Sequence, residues 1–325
     1  MTRNACLFCA MAVIVGLGGC RPGQGKEGPR AIQAEEGQGA ASTVVTTVRR
    51  PAVAGLFYPR DREMLARQID RDLAEAKTER IENLKAMVCP HAGYDFSGPI
   101  AAVAYKQLKG RRFDTVVVAA PSHYARFVGA SIPDVDAYET PLGQVPLSPW
   151  AKKLVGVGPV VSNPSCDVQR PGWWRQAPKE LPPFGEDTPH TWEHSLEVQL
   201  PFLQQTLERF SIVPIVIGRA DAEEVAEALQ TVLDEKTLLV ASSDLSHHHP
   251  YDVARELDAE SIKAICELDV EWFERAGLSP SEEPCGVLPV LALMHLAKKN
   301  GWRARLLDYR NSGDTSGDKS AVVGY

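Results

Sequence analysis

Three apolar, β-branched runs in this chain each stop at a small polar turn that carries a histidine. No other feature restricts the fold as much. The runs are Ala86-Met87-Val88-Cys89-Pro90-His91, Val116-Val117-Val118-Ala119-Ala120-Pro121-Ser122-His123 and Leu238-Leu239-Val240-Ala241-Ser242-Ser243-Asp244-Leu245-Ser246-His247. Short, continuous apolar stretches of this kind are strands buried on both faces, as in a parallel sheet. In open α/β sheets the ligand cleft lies just beyond the carboxyl ends of the strands. Histidines at three such ends can converge on one cleft, and imidazole is the commonest metal-ligating side chain. One such histidine would be an ordinary hydrogen-bonded residue; the repeat of the pattern points to a metal site.

The rest of the chain supplies the helices such a sheet needs. Apolar residues three and four apart predict a helix over 61–77, followed by the first histidine-bearing strand at about 84–90. Ser97-Gly98 reads as the opening of a helix through Leu108, before the strand at 114–120. Helix 194–208 leads into strand 211–217, and helix 221–234 into strand 237–241. Helices follow at 252–267 and 286–299, with closing strands near 303–309 and 320–325. This alternation predicts a single α/β domain over 49–325, with a mainly parallel central sheet flanked by helices. The stretch 164–190 interrupts the rhythm with Pro164, Pro171, Pro178, Pro182, Pro183, Pro189 and the pair Trp173-Trp174. It reads either as a lid over the cleft or as a surface loop whose tryptophans pack down on the domain.

The amino-terminal residues have a different character. Arg3, an apolar run from Ala5 to Leu17 and the exit Leu17-Gly18-Gly19-Cys20 resemble a bacterial lipoprotein signal peptide over 1–19, with lipid attached to Cys20. An uncleaved signal anchor and an over-extended reading frame are the competing readings. Residues 20–48 carry almost no large apolar side chain before Val44 and read as a flexible tether. The expected location is therefore outside the cytosol, on a membrane, held by the acyl chains on Cys20. A net charge of −7 without a basic stripe argues against a nucleic-acid partner. Of the seven cysteines, Cys89, Cys166, Cys266 and Cys285 fall in the domain, too widely spaced for a zinc knuckle or a dense disulfide framework. In an oxidising compartment they are either disulfide-bonded or kept free for a purpose such as metal ligation.

Several residues around the strand ends carry candidate chemistry. Gly93, between His91 and Tyr94, permits a tight turn. Asp244 can orient an imidazole or ligate directly. Glu193-His194-Ser195-Leu196-Glu197 opens a helix with His194 and Glu197 one turn apart, although both glutamates also suit the positive end of a helix dipole. Cys285 precedes a helix start, where thiolate is favoured and thiolate is the ligating and nucleophilic form; a buried, inert cysteine is the alternative.

Taken in order, Ala54-Gly55-Leu56-Phe57-Tyr58-Pro59, Pro90-His91-Ala92-Gly93-Tyr94 with Ser97-Gly98, Pro121-Ser122-His123, Glu193-His194-Ser195-Leu196-Glu197 with Leu200-Pro201, Ser242 to His247 and Cys285-Gly286 resemble the Memo family. Its prokaryotic members are called AmmeMemoRadiSam system protein B. That resemblance implies a fold similar to LigB-type class III extradiol dioxygenases and a functional link to AMMECR1-like and radical SAM proteins. It also implies a mononuclear metal bound at His91, His123 and Cys285, with iron (Fe2+) expected and copper or zinc as alternatives. His247 then matches the acid/base histidine of the dioxygenases, Asp244 stands beside it, and Tyr94, Ser122, Glu193, His194 and Glu197 form the surrounding pocket. Cys285 stands where the dioxygenases carry a glutamate, and a thiolate is a softer ligand. Tyr124 stands where some relatives carry a second histidine. Without metal, a Cys89–Cys285 disulfide becomes conceivable.

Three functions fit these readings. The first is a metal-dependent redox enzyme related to the extradiol dioxygenases. The second is a non-catalytic module that captures a metal, peptide or small ligand at the cell surface. The third is a zinc-type hydrolase, which would need Glu193 or Glu197 to activate water.

Overall fold

The computed structural model describes residues 12–15, 47–176, 187–277 and 284–325. Cys20, nearly all of the expected tether, and Pro178, Pro182 and Pro183 lie outside the described residues. Within the expected leader, Ala12–Val15 pairs antiparallel with Arg303–Leu306. Among the described residues no helix is long and apolar enough to cross a membrane.

A six-stranded sheet organises the domain, in the order Ala86–Cys89, Thr237–Ser242, Thr115–Pro121, Ser211–Ile217, Ala130–Ile132 and Val160–Ser162. The first four strands run parallel to one another. Ala130–Ile132 joins antiparallel, and Val160–Ser162 is parallel to it. The three histidine-bearing strands are thus adjacent and co-directional, with Thr237–Ser242 in the middle, so their carboxyl ends open on one edge. The expected single α/β domain with a mainly parallel central sheet is what the chain forms. Pro214 is tolerated in its strand because it falls between the bridge at Ile212 and the pairing at Val216, where no amide donor is required.

Helices cover both faces. Arg62–Glu75, Tyr94–Tyr105 and Leu200–Thr206 pack on one, with Met87, Cys89, Val116 and Val118 facing them. Ala222–Gln230, Tyr251–Glu267 and Val287–Asn300 pack on the other, against Ala86, Val88, Val117 and Ala119. Strand alternation therefore sends Cys89 to one face while Cys285 lies at the foot of a helix on the other. The conceivable Cys89–Cys285 disulfide is not formed, and no disulfide joins the four domain cysteines, all of which are described.

Helix boundaries differ from the sequence reading at several points, and the helix expected over 221–234 ends at Gln230. The helix expected from Ser97-Gly98 starts at Tyr94, with Gly93 as its cap residue; Gly98 lies inside it because a methyl there would come within 2.9 Å of Asp72 Oδ2 on the neighbouring helix. The helix expected over 194–208 is two, His194–Glu197 and Leu200–Thr206, broken ahead of Pro201.

Candidate metal centre

His91 and His123 each stand two residues beyond their strands, and Asp244 two residues beyond the strand between them. His194 opens the short helix that faces them. The rings of His91, His123 and His194 form a triangle with centroids 5.1 Å, 5.4 Å and 4.7 Å apart. Cys285 closes the group, its Sγ 2.9 Å from His91 Nε2. Ligand atoms of His91, His123 and Cys285 all lie within 4.8 Å of one another. Donors held at about 2.0–2.3 Å by one ion are at most about 4.5 Å apart, so this set fits a single metal with little movement.

The hydrogen bonds around the rings settle which nitrogens are presented. Ser242 Oγ donates its one hydrogen to Ser195 O at 2.7 Å and accepts from Gln199 Nε2 at 2.9 Å. Its remaining lone pair lies 2.8 Å from His91 Nδ1, which must therefore carry the hydrogen. His91 Nε2 is left with its lone pair directed at Cys285. His123 Nδ1 donates to Glu193 Oε1 at 2.8 Å, and the other oxygen of that buried carboxylate accepts the His123 backbone N–H at 2.6 Å. This leaves His123 Nε2 as the ring nitrogen for the centre. A carboxylate or hydroxyl behind each imidazole is the arrangement that orients ligating histidines. The His123 side chain is about 25% exposed, so solvent reaches the group from its side.

Charge is distributed unevenly over the three rings. Burial, reinforced by the neighbouring His123, holds His91 and His194 well below the usual histidine range, in the neutral ligand form. Burial opposes the charge on His123 too, but Glu193 and Cys285 raise it well above that range. Burial likewise opposes ionisation of Glu193, yet His123 pulls it well below the carboxylate range. Burial raises the Cys285 thiol, and His123 partly offsets this.

Asp244 holds the turn together. Its Oδ1 accepts the His91 backbone N–H at 2.7 Å, and its own N–H donates to Cys285 Sγ at 3.2 Å. Ligand atoms of Asp244, His247 and Cys285 also fall within 4.8 Å of one another. Burial pushes Asp244 up to about 6 and His247 down from its ordinary value, so their proton affinities approach each other. His247 opens a strand paired with Val322–Val323, whereas His248 is exposed.

Other sequence candidates sit elsewhere. Tyr94 is a core residue: its hydroxyl donates to Val198 O and its ring packs on Tyr58 and Phe202. Glu197 turns away from the histidines to a buried ion pair with Arg49, and it accepts from the Ala52 and Val53 amides and from Tyr58. It ties down the start of the domain, because three further bonds from Arg49 end on the carbonyls of His190 and Glu193. Ser122 Oγ donates to Ala125 O and fixes the loop after His123. Residues to which the sequence reading gave no part in the site do more. Gln199 and Ser195 support Ser242. Tyr124 OH lies 3.1 Å from His194 Nδ1, and the Phe57 ring packs at a tilt against the His194 ring, 4.7 Å between centroids. Trp173 packs against Phe57 and Tyr124, so this part of the 164–190 loop lies down on the domain beside the site.

The sequence matches the family model described as Memo-like protein over residues 49–162 and 178–325. A MEMO1 family protein of Methanosarcina barkeri is 37% identical over 287 residues, which cover 86% of this chain and 98% of that protein. One from Ignicoccus hospitalis is 36% identical over 298 residues, covering 86% and 96%. One from Aquifex aeolicus is 36% identical over 284 residues, covering 86% and 97%.

Proposed function

Because the chain belongs to the Memo-like protein family, we propose that it holds a single metal ion with His91, His123 and Cys285 and uses it in redox chemistry on a bound substrate. The observation that carries this reading is the fixed tautomer of His91, a buried ring whose Nε2 lone pair faces the Cys285 thiol beside a second, solvent-reached imidazole. Two imidazoles and a thiolate suit Fe(II), Cu or Zn, and we assign iron. A bound redox-active ion supplies electron transfer and polarises a substrate atom. The protein's own residues do the rest. Ser242 and Glu193 orient the two rings, and burial keeps His91 neutral. His247 carries protons to and from the substrate at the edge of the group, with Asp244 beside it. The sequence of residues 1–20 supports an exported protein tethered through lipid on Cys20, with the pocket facing the medium outside the cytosol.

Metal analysis of the full chain purified anaerobically tests the centre. Wild type is expected to carry one equivalent of iron, and His91→Ala and Cys285→Ser to lose it while keeping the wild-type far-UV circular dichroism. Folded variants that retain full metal would overturn the assignment.

A further inference from the structure

The carboxyl ends of Thr115–Pro121 and Ser211–Ile217, together with the start of helix Val287–Asn300, border an open cavity of about 630 Å³ that shares Cys285 with the donor cluster. That is the size of a small-molecule site. Two loops build its outer wall and are stitched together by backbone bonds. Arg219 N–H donates to Phe127 O at 2.9 Å and Gly129 N–H to Arg219 O at 2.9 Å. Gly218 permits this approach, since a methyl there would lie 2.7 Å from Phe127 O. Arg126 and Arg219 are thereby set on one wall of the cavity.

The chain carries a net charge of −7, yet among the described residues no acidic side chain lines the cavity. Neither guanidinium makes an ion pair or side-chain hydrogen bond with a described residue. Phe127, Val287 and Leu288 give the same lining large apolar side chains beside Cys285 and Ser122. An unpaired guanidinium is a fork for a carboxylate or phosphate head, and apolar walls take a hydrocarbon body.

We propose that this cavity binds an amphipathic organic acid, its anionic head on Arg126 and Arg219 and its apolar body reaching toward Cys285. This deepens the metal reading and rests on it for reactivity, though not for binding. The test is calorimetric titration of the full chain, metal-loaded and chelator-stripped, with 2-naphthoate, 2-naphthyl phosphate and the neutral 2-naphthamide. Either acid should bind about tenfold more tightly than the amide in both forms, and the tighter acid names the head group. Arg126→Gln with Arg219→Gln should abolish that preference at unchanged melting temperature, and the double lysine variant should keep it. Equal binding of acid and amide, or an unchanged preference in the double glutamine variant, would overturn the proposal. The preference persisting while folded Cys285→Ser still holds full metal would overturn the metal assignment and leave the cavity assignment standing.

Discussion

Removing one oxygen should change both the stability and the metal affinity of this protein. Ser242 is fully buried, and its hydroxyl accepts from His91 and Gln199 while donating to Ser195 O. In Ser242→Ala, Gln199 keeps its bond to Pro90 O at 2.9 Å, so the group left wholly without a partner is His91 Nδ1–H. An orphaned buried donor costs about 1–3 kcal/mol. For a domain of this size that lowers the melting temperature by about 2–4 °C per kcal/mol. The ring can relieve the cost by moving its hydrogen to Nε2 and donating to Cys285, but Nε2 then no longer offers a lone pair. Losing such an orienting partner weakens metal binding by about 10- to 100-fold. Chelator competition under anaerobic conditions measures the affinity, and ¹⁵N NMR of the metal-free protein reports the tautomer. Affinity within about twofold of wild type, with Nδ1 still protonated, would refute the role given to Ser242.

Two further outcomes follow from buried groups away from the centre. Arg49→Ala leaves the Glu197 carboxylate buried without its cation and should cost about 3–5 kcal/mol in denaturant unfolding, while the folded fraction keeps its metal; a loss below about 1 kcal/mol would contradict the anchoring role. His190 is buried between Tyr138 OH and Ser131 O, and burial, aided by the Arg49 charge, lowers it to about 3. Below about pH 6.5 the unfolded chain takes up a proton on this histidine that the folded one does not, so stability falls as pH drops from about 6.5 toward 3, by up to about 1.4 kcal/mol per pH unit. His190→Gln should flatten the pH dependence of unfolding across that window, and an unaltered slope would remove His190 as its source.

Much of this architecture is legible in the sequence because parallel strands buried on both faces leave continuous apolar runs. The turns carrying His91, His123 and Asp244 could be located for the same reason. Their convergence was a matter of strand order, which the pattern does not encode; it follows from Thr237–Ser242 inserting between the other two. Side-chain direction was the harder part. Tyr94 and Glu197 lie within a turn of site residues yet point into the core and toward Arg49, since each there finds partners supplied by distant segments. Ser242 was visible as the last residue of a strand, but a serine's role depends on what lies within 3 Å of its hydroxyl. Pairings such as Gln199 with Ser242 join residues more than forty positions apart, and no local periodicity marks them.

The placement of the two thiols on opposite faces of the sheet bears on how this protein ages. Cys89 is sealed beside Tyr105, its thiol pushed up to about 12 by burial. It stays protonated, the unreactive form, on the face of the sheet opposite the helix that Cys285 precedes. A sulfenic acid formed at Cys285 therefore finds in Cys89 a poor resolving thiol, and a small thiol arriving from outside is the better route to reduce it before further oxidation makes the damage permanent. The sheet that gathers the ligands on one edge also makes the upkeep of the sulfur depend on whatever reductant its surroundings supply.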